Sequence, residues 1–415
     1  MLPRHSHQRW GFRGIQAEAK TEKALTDTLN SGVFNVLTED QLRRRKSSKW
    51  SCFESDVLPL WVAEMDFPAA PPILDAVRAC VEEEEFGYPP VGESDLPRAT
   101  ADWCRRRYQW GARPEWVRDI PDVLKGIEVI IRFLTRPESP VVLPVPAYMH
   151  FFDVLQVTGR QRVEIPMLPQ DSGHYLLDLD ALDAAFAAGA GSVILCNPSN
   201  PLGTAFSADE LRAIVDIAAD HDARIIADEV HGPLVYERRH IPAASVSPHA
   251  ADVVVTLLSA SKGWNLPGLK CAQTILSNRR DARAWDRIDM LHVMGASTIG
   301  IRANIAAYDR GAAWLEALLG HLRANRDHLA RTLPEAAPGV RVNTPEATFL
   351  SWIDFRALNL PTEPADYLLS KARVALSPGI SFGAAAGSGF ARMNFATSRP
   401  ILDRAIEAIA AALPI

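Results

Sequence analysis

The sequence predicts an α/β protein: a large domain built on a mostly parallel sheet flanked by helices, joined to a smaller α+β domain. Three observations predict it. Between about residues 139 and 276, short β-branched runs alternate with longer helical stretches, the pattern of parallel strands joined by helical crossovers. The runs are apolar throughout rather than alternating, as expected of strands covered on both faces. From about residue 311 the pattern changes to a long amphipathic stretch followed by short strand-like runs.

Taken in order, residues 1–50 are polar and basic and are assigned to an N-terminal extension and small-domain segment, expected to wrap either that domain or a partner subunit. The first sixteen, MLPRHSHQRWGFRGIQ, hold three arginines and no acid, faintly like a transit peptide, but no apolar stretch follows and they are expected to be a mobile tail. Residues 51–309 form the large domain. Its strands are PVVLP (140–144), SVILC (192–196), ARIIAD (223–228) and DVVVTLL (252–258). Between the second and third lies SADELRAIVDIAADHD (207–222), where Ser207 and Glu210 form a capping box and Leu211, Ile214, Val215 and Ala218 recur at helical spacing. Residues 310–415 form the small domain. WLEALLGHLRANRDHLARTL (314–333) is its long helix, and GVRVN, ATFLSWIDF and ARMNFA suit a small antiparallel sheet backed by helices.

Composition narrows the function. With 415 residues, 47% of them hydrophobic, the chain can bury the core of two domains. Lys+Arg 44 against Asp+Glu 50 leaves a charge of -6 with no long run of one sign, so neither nucleic acid nor an acidic membrane is an expected partner. No stretch approaches the roughly 18 apolar residues of a membrane span. Five scattered cysteines without CxxC spacing suggest neither a disulfide framework nor a metal site, and point to a reducing, cytoplasmic setting. Small-molecule chemistry is the expectation.

Three stretches carry chemistry. TLLSASKGWNLPGLKCAQTI (256–275) ends an apolar run in Ser259-Ala260-Ser261-Lys262, which puts a lysine at the carboxyl end of a parallel strand, where ligands bind in open α/β folds. By itself this is weak, since most lysines at strand ends are solvated surface residues; the two serines, which could hold a phosphate, and Gly263 and Gly268, which would let backbone approach a ligand, bring the two readings level. In ARIIADEVHG (223–232), Asp228 and Glu229 follow an interior strand, as an acidic exit, a metal site or a carboxylate for a cofactor. In CNPSNPLGTAFS (196–207), the Asn-Pro pairs are turn chemistry or place the Asn200 amide as a donor at the same sheet edge. An amine, a carboxylate and an amide together suit a pyridine cofactor whose ring nitrogen must stay protonated to act as an electron sink.

NPSNPLG, ADEVHG and SASKGWNLPGLK stand in the order and spacing of fold-type I pyridoxal-5′-phosphate (PLP) enzymes, the class I/II aminotransferase superfamily, which the chain resembles over roughly residues 50 to 412. LPLWVAEMDFP (58–68), FGYPP (86–90) and PAYMHFF (146–152) resemble its cystathionine β-lyase-type C–S lyase branch. The resemblance implies a mostly parallel seven-stranded sheet and a homodimer with shared active sites. It makes Lys262 the Schiff-base lysine, Asp228 the partner of the pyridine nitrogen, Asn200 and His231 neighbours of the phenolic oxygen, and Tyr148 the aromatic stacked on the ring. It places Ser259, Ser261, Lys270 and the amides of Val123 and Leu124 around the phosphate, and Tyr88 on the phosphate of the neighbouring subunit. The family usually has glycine where Asp122 stands, and often arginine where Lys270 stands. Arg392 resembles the arginine that clamps a substrate α-carboxylate, a task that suits its planar fork. Trp61, Met65 and Trp264 either shape the side-chain pocket or are plain core.

The resemblance implies chemistry at the α-carbon of an amino acid, with the freed Lys262 amine as general base. A β-lyase releasing thiol, pyruvate and ammonia is the leading expectation, with an aminotransferase as the alternative and a specialised pathway enzyme on the same scaffold behind it. A PLP-binding regulator without catalysis is a remoter possibility, opposed by the retention of Lys262, Asp228 and Arg392. A cofactor-free interaction protein is remoter still.

Overall fold

The four apolar runs form strands whose ends lie within two residues of the sequence-based limits, Ser192–Cys196 matching its run at both ends. The computed structural model describes residues 32–89 and 94–414. Its main sheet contains β1 (Val117–Ile120), β2 (Val141–Val145), β3 (Arg162–Pro166), β4 (Ser192–Cys196), β5 (Arg224–Asp228), β6 (Val254–Leu258) and β7 (Ala272–Leu276). The seven lie in the order β1-β7-β6-β5-β4-β2-β3, and all are parallel except β7, which is antiparallel to both its neighbours. Successive side chains of a strand point to opposite faces. Val193, Leu195, Ile225, Ala227 and Val254 accordingly enter one core, and Ile194, Ile226, Val255 and Leu257 enter the other.

Helices cover both faces. The amino end of α1 (Val123–Phe133) is capped by Asp122, whose side chain accepts from Lys125 N. This helix lies so close to the sheet that a Cβ on Gly126 would stand 2.4 Å from both Ile120 Cδ1 and Leu257 Cδ2. Next comes α2 (Ala208–Asp220), which carries the Ser207–Glu210 capping box and buries the four residues singled out by periodicity. Further on, α3 (Thr298–Arg310) leads through Gly311 into α4 (Ala312–Ala336), longer by a few residues than the 314–333 read from sequence.

A second sheet, antiparallel, consists of β8 (Arg341–Val342), β9 (Leu350–Asp354), β10 (Ser377–Pro378) and β11 (Phe390–Asn394) in the order β8-β9-β11-β10. The closing helix is α5 (Arg399–Ala412). The described part of the N-terminal segment lies on this half of the chain, where Phe34 meets Trp314 and His321, and Leu58–Pro59, from the stretch assigned to the large domain, also joins it by pairing in parallel with Val374–Ala375. The tail expected over residues 1–16 lies outside the described residues.

Two charged clusters tie distant segments together. Lys49 and Asp66 form a buried ion pair at 2.7 Å, with the Trp50 indole donating to the other carboxylate oxygen at 2.7 Å. His174 bridges Glu210, at the start of α2, and Glu346, just before β9, at 2.7 and 3.1 Å. Those two carboxylates raise its pKa to about 9.

Candidate active site

Strands β4, β5 and β6 end side by side, with Cys196 in register with Asp228. Their carboxyl ends open into a cavity of about 190 Å³, walled by Cys196, Asn200, Asp228, His231, Ser259 and Lys262. Tyr148 and the first residues of α1, Val123 and Leu124, complete the wall with Ser261 and Lys270. Parallel strands alone dictate this location, because their loops gather at one sheet edge. Most of the residues named from sequence therefore converge on one chamber.

Lys262 sits in a short helical turn, Ala260–Gly263, directly after β6. Its amine donates to Ala63 O at 3.0 Å. Burial, reinforced by the charge of Arg392 and opposed by Asp228 and Glu64, lowers its pKa to about 8. A useful fraction of the amine is then neutral near physiological pH, able to attack a carbonyl or take a proton.

Of the two adjacent acids only Asp228 reaches the cavity. Its Oδ1 accepts from Val230 N at 3.1 Å, and burial raises its pKa to about 6 against the opposing effect of that N–H and of Lys262. Glu229 is spent on structure, sharing a hydrogen bond with His240 Nε2 at 3.0 Å and accepting from Ala243 N at 2.7 Å. His231 is buried; desolvation first, then the charges of Lys262 and Arg392, hold its pKa well below the usual value, so its ring is neutral. Its Nδ1 has no partner among the described residues.

Arg392, on β11, stands behind Asn200 and not in the cavity wall. Its Nη1 donates to Asn200 Oδ1 at 2.9 Å, while Nη2 donates to Trp61 O at 2.7 Å and Ser377 Oγ at 2.9 Å. With Asn200 Oδ1 engaged, the amide nitrogen of Asn200 is the group left to donate elsewhere. The guanidinium also lies over the Phe382 ring, 4.9 Å from its centroid.

In the phosphate cradle expected from sequence, two side chains are engaged with their neighbours. Asp122 is not a bare acid: Oδ1 caps α1, and Oδ2 pairs with Lys270 Nζ at 2.8 Å. Its charge is met by the lysine that stands where arginine was expected, leaving the first α1 amides for an anion. Ser259 lines the cavity but donates its proton to Cys271 O at 2.7 Å and accepts from Ser261 N, so it orders the turn. The Ser261 hydroxyl makes no hydrogen bond among the described residues and is the freer donor.

Trp264 is core: wholly buried, it packs edge-on against Trp103 and Tyr308 and donates to Gly311 O at 3.0 Å. Met65 is buried away from the cavity wall, and Trp61 contributes its carbonyl. Tyr88 is 95% exposed and outside this chain's cavity. The Thr298 hydroxyl donates to the preceding carbonyl, Gly87 O, at 2.7 Å. Sequence reasoning missed Cys196, Ser377 and the carbonyls of Ala63 and Trp61. Backbone carbonyls leave no residue-type signal, and Ser377 belongs to a two-residue strand too short to read.

The family model for aminotransferase class I and II matches residues 55–409. A cystathionine beta-lyase of Corynebacterium glutamicum is 42% identical, across 90% of this chain and 98% of its own. Among solved structures, a protein of Corynebacterium diphtheriae described as a PLP-dependent beta-cystathionase superposes with a TM-score of 0.88 at 42% identity, covering 91% of this chain and 98% of that one. N-succinyldiaminopimelate aminotransferase from Mycobacterium tuberculosis superposes with a TM-score of 0.77 at 30% identity, covering 85% and 92%.

Proposed function

Because the chain belongs to the class I and II aminotransferase family, we propose that it is a PLP-dependent carbon–sulfur β-lyase, cleaving the Cβ–S bond of an amino acid such as cystathionine to a thiol, pyruvate and ammonia. A lysine amine with a lowered pKa that shares a cavity with a buried carboxylate, next to an arginine aligned by three acceptors, supports chemistry at the α-carbon of an amino acid; the 42% identity to a cystathionine beta-lyase across 90% of this chain is the observation that carries the C–S outcome.

The residues present fit PLP. Asp228 offers an acceptor to a ring N–H, His231 presents an unpartnered Nδ1, Tyr148 supplies a flat face, and the α1 terminus with Ser261 and Lys270 suits a phosphate. Bound there, the cofactor supplies an aldehyde for Lys262 and a ring that draws electrons from the substrate α-carbon. Arg392 holds the substrate carboxylate, assisted by the Asn200 amide. The Lys262 amine takes the Cα proton as general base. Burial lowers the pKa of that amine to about 8, which leaves a fraction of it neutral and able to take the proton, and Arg392, being cationic, does not compete for it. A sulfur substituent on Cβ can leave as a stabilised thiolate, which turns proton removal into elimination.

An aminotransferase outcome uses the same residues and is favoured by the match to the family model and by the likeness to the mycobacterial aminotransferase. Incubation with cystathionine decides. Thiol, pyruvate and ammonia with unconverted cofactor are expected; stoichiometric pyridoxamine phosphate without thiol, and turnover only when a 2-oxo acid is added, would overturn the lyase assignment. We also propose a homodimer in which Tyr88 reaches the partner's phosphate, supported by the exposure of Tyr88 and of the neighbouring Phe86. A cytoplasmic location is supported by five free cysteines. Among the described residues no helix is long and apolar enough to cross a membrane.

A further inference from the structure

Residues Leu60–Asp66 cross the site as a strap whose carbonyls are taken one after another. Leu60 O accepts from Asn394 N at 2.8 Å, and Trp61 O from Arg392 Nη2 at 2.7 Å and Ser377 Oγ at 2.5 Å. Val62 O and Glu64 O both accept from Asn394 Nδ2 at 2.7 Å, and Ala63 O accepts from the Lys262 amine at 3.0 Å. Met65 is held on both sides by one amide: its N–H donates to Asn265 Oδ1 at 2.9 Å and its carbonyl accepts from Asn265 Nδ2 at 2.9 Å. Buried backbone groups must find partners. Here the partners are the two functional side chains, the asparagine that follows each of them, and Ser377, with Lys49 adding a bond to Glu64 O at 3.1 Å.

We propose that Asn265 and Asn394 are positioning residues: by clamping this strap they fix where the Lys262 amine rests and how the Arg392 guanidinium is aimed. Asn265 lies in the turn that carries Lys262, and Asn394 lies on β11 with Arg392. Each amide therefore ties the strap to the segment whose functional group the strap holds. Asn265 has a φ of 58°, a left-handed conformation that asparagine adopts more readily than most residues. A displacement of about 1 Å at such a site is enough to slow chemistry.

The inference rests on Lys262 being the cofactor lysine, so the test begins with wild-type apo-protein. PLP is added across a range of pH, and covalent capture is trapped by borohydride and located by peptide mass. Wild type should capture at Lys262 with a midpoint near 8; no capture there overturns the functional assignment itself, and the positioning role with it. Asn265→Gly keeps the backbone conformation and removes the clamp. Its capture should slow roughly tenfold, the worth of one to two hydrogen bonds. Its midpoint should rise toward that of an ordinary lysine as water reaches the amine. Asn265→Ser, neutral and too short to hold both Met65 groups at once, should fall between. The groups around the amine, Arg392, Asp228, Glu64 and His231, are unchanged in both variants. Asn394→Ser should raise KM for the amino acid roughly tenfold at near-normal kcat. If Asn265→Gly does not fold, the rate and midpoint of the neutral Asn265→Ser variant decide. Well-folded Asn265 variants with wild-type rate and midpoint would overturn the proposal for that residue, and an Asn394→Ser enzyme with unchanged KM would do so for the other.

Discussion

Replacing Arg392 by lysine keeps a positive charge and removes the fork. In the native site the guanidinium reaches Asn200 Oδ1 at 2.9 Å with one nitrogen, and Trp61 O at 2.7 Å and Ser377 Oγ at 2.9 Å with the other. A single ammonium on a shorter stem cannot span acceptors on both sides and still present two parallel N–H groups to a carboxylate. One hydrogen bond to a charged group is worth about 1.5–3 kcal/mol, so KM for the amino acid should rise about 10- to 150-fold. The carboxylate is bound alike before and during reaction, so kcat should change far less. Initial rates against substrate concentration, with thiol release as signal, give both constants, and the absorption of the resting cofactor should be unaltered. A kcat/KM within twofold of wild type, or a fall in kcat at constant KM, would refute carboxylate binding by Arg392.

Three further outcomes follow from buried or bridged charge. Lys262→Met should stabilise the apo-protein by about 3 kcal/mol below pH 8, because the native lysine, titrating near 8, is harder to protonate than in the unfolded chain. Wild-type stability rises with pH between about 8 and 10.5, so the gap should close over that window; a pH-independent gap in thermal melts contradicts the mechanism. Asp66→Asn strands the Lys49 ammonium in the interior and should cost about 3–5 kcal/mol in chemical denaturation. Asp66→Leu combined with Lys49→Met should cost less than that single change, and the opposite order would dismiss the ion-pair argument. For His174, held protonated by Glu210 and Glu346, the pKa is raised, so its stabilisation is complete below about 6.5 and is lost as pH climbs through about 9. His174→Gln should therefore melt lower than wild type at pH 6 and alike above pH 9.5.

The parts of this molecule legible in its sequence are those with a short-range cause. Continuous apolar runs named four strands of the main sheet, and Ser207 with Glu210 marked the start of α2, because both signals lie within a few residues. β1, β3 and β7 were not read as strands from the pattern; the expectation of seven came from family resemblance. Lys262, Asp228 and Asn200 were visible because strand ends in a parallel sheet share one edge. Asp228 could not be told from Glu229 by pattern, since only the turn after β5 sends one carboxylate to the cavity and the other to His240. Trp264 stayed open between pocket and core for a related reason: its neighbours Trp103, Tyr308 and Gly311 come from elsewhere in the chain. The ion pair between Asp122 and Lys270 resolved two departures from the family pattern at once, and they are 148 positions apart.

The strap joins parts of the chain that are made at very different times. Arg392 Nη2 bonds a carbonyl 331 positions earlier, Lys262 one 199 positions earlier, and Leu58–Pro59 must wait for Val374–Ala375. During synthesis at about 5–20 residues per second the amine of Lys262 exists for seconds before Arg392 and Asn394 emerge. A nascent chain thus carries its reactive lysine without the frame that aims it, and any truncation before residue 394 leaves that frame unmade. On this proposal cofactor uptake at the full rate is consequently an assay of a completed strap, slower until residues 392–394 have met residues 60–64.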